Sequence, residues 1–322
     1  MTSVLYDVPG PRAILRNRVL GIVTVVAIVA LFAWLIWLFI DSGQFTAQKW
    51  SVFSYTYVWQ NQILPALLQT VLAFVTAGIG SIVFAFVLAV GRLSDHAWVR
   101  VPFTVITEIF RAIPVLIMMM ILYYGLPSIG VSMSPYAAVV IALIAYNGSV
   151  IAEALRAGVH SLPRGQSEAG YALGLRKSGV MSFILMPQAV RAMMPVILAQ
   201  LVVCLKDTAL GSIITYEELL YVAKLIGGNL QTGRPYIPAA IIIGGIYIGM
   251  CLLLSLVARL VEKRMAKSPR VKAAQDAIAP RLHEESTITQ VIAQQDAEIL
   301  GGDARSSRGF RGEDGGNPGG AA

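Results

Sequence analysis

Residues 19–40 read VLGIVTVVAIVALFAWLIWLFI, 22 residues from Val19 to Ile40 without a charge. An α-helix needs about 20 apolar residues to cross the hydrocarbon core of a bilayer, so this stretch reads as a membrane span. It is longer than the roughly 7–15 residues of a signal-peptide core, and no small-x-small cleavage site follows it, which predicts a retained span.

The rest of the chain has the same character. Of 322 residues, 56% are hydrophobic and 13% charged, against about 25% charged in an ordinary soluble domain. Mean hydropathy is +0.69. Nineteen charged residues lie at or after Arg259, which leaves 24 for the first 258 positions. So few cannot cover a soluble surface. The composition excludes a soluble enzyme and predicts an all-α polytopic membrane protein. The net charge of +7 does not indicate nucleic acid, because the basic residues flank apolar stretches, where they set membrane orientation. Cys204 and Cys251 sit in apolar runs as small core residues, and the three histidines are scattered. There is no metal-ligand spacing, phosphate-binding loop or nucleophile elbow, so no catalytic residue and no metal site is expected.

The span ruler places six helices: Val19–Ile40, about Pro65–Gly91, one ending before Gly125-Leu126-Pro127, one from Pro135 to near Ala152, about Val190–Ile214, and about Ile237–Val257. With the N-terminus inside, the cytoplasmic segments carry Arg12, Arg16 and Arg18, then Arg92 and Arg100, then Arg156, Arg164, Arg176, Lys177 and Arg191. The outer loops carry only Lys49, Lys224 and Arg234. This asymmetry predicts an N-in, C-in topology. Trp34, Trp37, Trp50 and Trp59 would anchor the outer boundary of the first two spans.

Two spans cannot avoid charges. Ala112–Tyr124 is too short to cross, so the third span starts near Pro102 and takes in Glu108 and Arg111. The fifth must run through Lys206 and Asp207 to about Ile214. A charge at mid-membrane costs about 2.5–3.5 kcal/mol on insertion scales, so such residues face a partner or an aqueous path. Lys206 and Asp207, being adjacent, point about 100° apart on a helix. Lys206 either attracts an anionic substrate group or pairs with a facing carboxylate as a purely structural charge. Glu108 and Arg111 share a face at i, i+3, either as an intrahelical pair or with Arg111 turned to a translocation path. Tyr146, Asn147 and Thr208 are further polar positions and, with Glu108, Arg111, Lys206 and Asp207, candidates for the translocation path; for Tyr146 and Asn147, interhelical hydrogen bonding competes with substrate contact. Met118, Met119 and Met120 read as adaptable packing, and Gly244, Gly245 and Gly249 as a place of close helix approach. Glu217 and Glu218 open an outer segment, Tyr216–Leu225, that is either a gate or docking surface or a solvated face.

The longest inner loop, Glu153–Arg191, carries a motif. Pro163-Arg164-Gly165 precedes good helix formers over Gln166–Leu173. The loop reads Glu168-Ala169-Gly170, three residues, Gly174, nine residues, Ile184-Leu185-Met186-Pro187. This resembles the EAA loop of ABC importer permeases, EAA-x3-G-x9-I-x-L-P, with Gly170 for the second Ala and Met186 for Leu. The resemblance implies a type I ABC importer permease core with a cytoplasmic coupling helix that docks on an ATPase. Glu168 near the helix start would favour the helix dipole. Gly170 would loosen the helix by up to about 1 kcal/mol. Gly174 would permit a sharp exit, and Pro187 would mark the return towards the membrane.

Further stretches resemble the polar amino acid branch of that family: Ile63–Ser94 with Gln69-Thr70, Glu108–Pro114 against E-x-F-R-G-T-P, Ser149–Gly158 against A-x-x-A-E-x-x-R-x-G, and Lys206–Leu210 against K-[DN]-[ST]-S-L. The chain as a whole is most similar to the second permease subunit of glutamate uptake systems. The implied organisation is a cytoplasmic segment 1–18, a first helix and outer loop 19–62, a permease domain 63–264 with its EAA loop at 165–189, and a largely disordered cytoplasmic tail 265–322, in which Thr287–Leu300 could form a helix.

The implied function is import of a polar amino acid, with L-glutamate the expected substrate, across the plasma (inner) membrane. The implied partners are two copies of an ABC ATPase, a second permease chain (paralogue or self), an extracytoplasmic binding protein and the lipid bilayer. This chain would bind no cofactor, ATP and Mg residing on the ATPase. Two other classes compete: an ion-driven secondary transporter, against which six spans without a repeat argue, and a receptor or scaffold signalling through its tail.

Overall fold

The computed structural model describes residues 10–266 and has no strand among them. The expected tail helix over Thr287–Leu300 and the Gly-rich end lie outside the described residues. By compactness the chain divides into Met1–Arg259 and Leu260–Ala322.

Helix α1 (Pro11–Asp41) is the 22-residue apolar run with its basic approach. Gly43, at φ +64, turns the chain out of it, the left-handed position that glycine occupies without a Cβ clash. None of its most apolar stretch is buried against the rest of the chain. Short pieces follow, α2 (Ala47–Trp50) and α3 (Thr56–Val58), and a π turn over Trp59–Ile63 leads into α4 (Leu64–Arg92). α4 then gives way to α5 (Ala97–Ala112).

Here the third span departs from the single helix expected from Pro102 to Tyr124. α5 stops at Ile113, which adopts an extended conformation (φ −83, ψ 122). α6 (Val115–Met120) begins after Pro114, and the two halves meet at 98°. The reason is local: proline clashes with a helical conformation at the residue before it and removes a backbone donor. Five helices are thus long and apolar enough to span, and a sixth span results if this bent pair is one crossing.

Helix α7 (Pro135–His160) is capped by Ser134, whose hydroxyl accepts from Ala137 N at 3.2 Å. Three residues after its end comes α8 (Arg164–Ala172), then α9 (Lys177–Gly179). A π turn over Val180–Leu185 joins α9 to α10 (Met186–Asp207), which ends in a 3-10 turn through Ile214. Lys177–Ile214 is therefore one helical run of 38 residues, and Pro187 lies inside it rather than at its start. The π turn immediately before Pro187 accommodates the missing N–H. α11 (Leu219–Gly227) and α12 (Tyr236–Ala266) complete the described residues.

The core is the crossing of α4 on α7. On α4, Ala73, Ala77, Ser81, Ala85 and Ala89 recur every four residues and are fully buried. On α7, Ala138, Ala142, Ala145, Ser149 and Ala152 are buried opposite them, with Gly148. Close approach is required here: a Cβ on Gly148 would lie 2.8 Å from the Phe84 ring and 3.1 Å from Ser81 O. Ser81 Oγ donates to Leu143 O at 3.3 Å across the seam. Val115, Met118 and Met119 of α6 pack into the same core, and Met120 is exposed.

Ala85→Leu is expected to lower the melting temperature of the purified protein, since overpacking a filled seam costs about 1–3 kcal/mol. Val83→Leu, on the exposed side of the same helix, is the control and should leave it unchanged. Equal effects would mean that the seam does not set stability.

Candidate functional site

Three groups of side chains stand out, and α7 or its continuation touches all of them. The first is the loop built on α8. The helix begins at Arg164, so Glu168 is its fifth residue and the first turn holds no acidic residue. The expected dipole contribution of Glu168 therefore does not arise, because that effect fades beyond the first turn. Glu168 and Ala169 are exposed, and Gly170 faces inward. A Cβ on Gly170 would meet Val180 Cγ2 and Ile184 Cδ1 at 2.9 Å. Gly170 thus lets α8 lie close against the start of the long fifth run. Gly174 has φ +78; its N–H donates to Tyr171 O at 2.9 Å and that of Leu175 to Gly170 O at 3.2 Å, which closes the helix in the glycine-dependent manner. Around the loop, Leu173 is 81% and Phe183 79% exposed.

The second group is an ion ladder where α4 ends. Arg111 Nη1 donates to Glu108 Oε2 at 3.2 Å, and Arg92 Nη2 to Glu108 Oε1 at 3.2 Å. Arg92 Nη1 lies 2.7 Å from Glu153 Oε2, and Arg156 Nη2 donates to Glu153 Oε1 at 2.7 Å. Cations and carboxylates alternate through Arg111, Glu108, Arg92, Glu153 and Arg156, and link α5, α4 and α7. Only Arg92 is deeply buried, its side chain 6% exposed. A guanidinium shared by two carboxylates offsets its desolvation in a way that a single pair cannot. Sequence reasoning found the Glu108–Arg111 pair but missed Arg92. Glu153 and Arg156, at the same i, i+3 spacing, were not read as a pair.

The third group lines the end of α10. Asn147 is buried; its Nδ2 donates to Leu143 O at 2.9 Å, and its Oδ1 accepts from Gln200 Nε2 at 2.8 Å. This polar pair ties α7 to α10. Tyr146 packs half-buried against the main core. Lys206 is exposed, Asp207 half-buried, and Thr208 buried with its hydroxyl donating to Leu205 O at 2.7 Å. Among the described residues Lys206 and Asp207 form no ion pair. Beyond them, the chain turns sharply at Thr215, a β-branched residue at φ 63, which is a strained conformation.

The candidate path residues therefore do not form one cluster. Gly211, beyond Thr208, sits against Val139, and Glu153 holds Arg92. These two levels are about 21 Å apart along α7 at 1.5 Å per residue.

The segment Tyr216–Leu225 corrects another expectation. Glu217 is exposed, but Glu218 is fully buried and belongs to no solvated face. Its carboxylate caps α11, accepting from Leu220 N and Tyr221 N at 2.8 Å each, and also from Tyr247 Oη of α12. Burial pushes its carboxyl above the ordinary range against the pull of these donors. Leu219 N donates to Thr70 Oγ1 and Tyr216 Oη to Gln69 O, so the segment is tied back to α4. Among the described residues no group of three His, Cys, Asp or Glu is placed to hold a metal ion.

Comparison with known proteins gives this arrangement a context. Residues 81–267 match the family described as binding-protein-dependent transport system inner membrane component. The glutamate transport system permease protein GluD of Corynebacterium glutamicum is 39% identical over 227 residues, 70% of this chain and 82% of that protein. The probable glutamine ABC transporter permease protein GlnP of Bacillus subtilis is 34% identical over 160 residues, 50% of this chain and 73% of that one. Among solved structures, that of an amino acid ABC transporter with histidines superposes with a TM-score of 0.59 at 27% identity, covering 66% of this chain and 97% of its own. An inward-facing structure of the MetNI methionine ABC transporter shares the fold at a TM-score of 0.53 and 16% identity, covering 63% and 95%.

Arg92→Met should destabilise the protein by about 2 kcal/mol or more, somewhat below the about 3–5 kcal/mol of a fully buried broken pair, because each carboxylate keeps a second arginine. Arg111→Met, which removes an exposed rung, should cost under about 1 kcal/mol. Thermal unfolding in detergent reads both, and the reverse order would show that Arg92 is not the centre of the ladder.

Proposed function

This chain belongs to the binding-protein-dependent transport system inner membrane components, and on that premise we propose that it imports L-glutamate. It is the permease subunit of an amino acid ABC transporter, a multi-pass plasma membrane protein of the type I importer fold without an ATPase site of its own. The family assignment sets aside the ion-driven transporter and the signalling scaffold. The observation that carries glutamate is the 39% identity to a glutamate transport permease over 82% of that protein's length.

The partners follow from the family: ATPase subunits, a second permease and a substrate-binding protein. In the reading proposed here there are two ATPases holding ATP and Mg, and the second permease is a paralogue or a second copy. The α8 loop is the coupling element. Glu168, Ala169 and Gly174 present its outer surface, Gly170 seats it, and Pro187 lies in the run that follows. The exposed Leu173 and Phe183 support this, since apolar side chains of that exposure mark a contact surface. Its place on the cytoplasmic side rests on the distribution of Lys and Arg, which favours the N-in, C-in topology.

Lys206, Asp207 and Thr208 form one level of the path and Glu108 and Arg111 the other, with Tyr146 and Asn147 between. Lys206 supports a path role because an exposed ammonium at the end of a spanning helix requires an anion, water or a second chain beside it. A carboxylate substrate is such an anion. The work is conformational: the binding-protein and ATPase states bias an equilibrium between two arrangements of the spans.

The test is labelled glutamate uptake in cells lacking this chain, complemented with wild type or Gly174→Asp, with unlabelled aspartate, glutamine, arginine and histidine as competitors. Wild type should restore uptake that only glutamate or aspartate suppresses. Gly174→Asp should abolish it at unchanged protein level. No Cβ contact within 4 Å awaits a side chain at Gly174, so the change acts through the left-handed backbone, worth about 1–2 kcal/mol, and through the surface offered to the ATPase. Failure of wild type to restore glutamate uptake overturns the substrate. Normal transport by Gly174→Asp overturns the coupling role.

A further inference from the structure

Beside the ion ladder, where α4 gives way to α5, lies a cup of about 490 Å³. Arg92, Arg100, Arg156, His160 and Lys177 line it, and Asp95 is the one carboxylate among its lining residues. Lys177 engages Asp95 and also donates to Leu93 O at 3.1 Å; the Lys177 hydrogen bond holds the Asp95 carboxyl below its usual range.

Of the guanidinium groups in the cup, Arg100 is exposed and keeps donors free for a ligand, while Arg92 is held by the ladder. Arg92 is buried, its side chain 6% exposed, and its Nε has no hydrogen-bond partner. Arg100 reaches only the carbonyls of Ser94 and Asp95, at 3.4 and 3.5 Å, and pairs with no carboxylate among the described residues. A buried unpaired donor is costly, and arginine matches the oxygens of a phosphate in particular.

An apolar groove of about 780 Å³ adjoins the cup, and Leu93, Ser94, Asp95 and Lys177 line both. Phe86, Val87, Val90, Val99, Phe103 and Met181 line the groove. Val87 and Val90 are more than half exposed. Phe103 packs directly on α4 because Gly91 has no side chain; a Cβ there would lie 2.3 Å from the ring. Hydrocarbon surface joined to a basic cup at the end of a membrane helix is complementary to one amphiphile. A soluble phosphate would leave the groove empty, and a neutral lipid would leave Arg100 without an anion.

We propose that the cup binds the phosphate of an anionic phospholipid, with one acyl chain lying in the adjoining groove. Basic pockets between membrane helices recognise anionic headgroups in this way. The lipid would bridge α4, α5 and α7 beside the ladder and so link the anionic lipid content of the membrane to the packing of the permease.

The test is lipid retention by the purified assembled transporter, which needs no transported substrate and so stands or falls apart from the glutamate assignment. The complex is equilibrated with equal amounts of phosphatidylglycerol and phosphatidylcholine of the same chains, and bound lipid is read by native mass spectrometry. Phosphatidylglycerol should be retained preferentially. Arg100→Gln should lower that preference about fivefold, the worth of one basic residue at a charged surface, and Arg100→Lys should keep most of it. Val90→Trp, which fills the groove, should reduce retention of both lipids. Excess inorganic phosphate should not displace the lipid. Equal preference in wild type and Arg100→Gln overturns the proposal, as does unchanged retention by Val90→Trp. Displacement by inorganic phosphate would show a soluble-anion site instead. Should Arg100→Gln fail to assemble, Val90→Trp and the phosphate competition decide alone.

Discussion

The crossing of α4 on α7 is the constraint on which the other spans depend. Inside a bilayer, lipid tails are as apolar as leucine, so burial of large aliphatic side chains gives no net drive for helices to meet. Small side chains do, because they let backbones approach and make many close contacts. The alanines and serine at four-residue intervals on α4 and the matching small residues of α7 supply such a surface. α10 then joins through Asn147 and Gln200, α6 through its methionines, and α5 through the ladder. α1 stands outside this scheme: large apolar side chains cover it, and it buries none of its most apolar stretch against the chain. Its surface is suited to lipid or to another subunit.

Charge follows from the same geometry. Had the third span been one straight helix, Glu108 and Arg111 would have been carried into the hydrocarbon. The break at Ile113-Pro114 places them on α5, level with the end of α4, where Arg92 reaches both Glu108 and Glu153. Five groups of alternating sign there hold three helices with little net field. The unpaired Nε of Arg92 and the loosely held Arg100 are what remain over.

Four of the six spans were legible because they are charge-free for about 20 residues and bounded by Gly, Pro and basic residues. The break in the third span was also written locally, in Pro114, but the length rule hid it; a bend of 98° depends on what α6 packs against. The small-residue seam was visible as a period of four and passed unremarked within an apolar run. The i, i+3 ion pairs could be read from spacing. Arg92 could not be assigned, since its partners lie 16 and 61 positions away and only tertiary packing brings them together. Glu218 is the opposite case to Glu217 for the same reason: adjacent, chemically identical, and distinguished by the Leu220 and Tyr221 N–H groups and the Tyr247 hydroxyl that bond to one of them.

α7 carries attachments at three heights. Gly211 packs on Val139, Gln200 bonds Asn147, and Arg92 and Arg156 hold Glu153. The helix ends at His160, and α8 starts at Arg164. A displacement applied to α8 would therefore enter α7 through a three-residue connection, with Gly170 seated against Val180 and Ile184 to pass part of it to α10. A close-packed helix with small-residue contacts along its length deforms little, so it would shift as a body and move the ladder and the Val139 level together. That rigidity is what would let a loop outside the membrane act about 30 Å away, the thickness of the hydrocarbon core, without any chemistry in this chain.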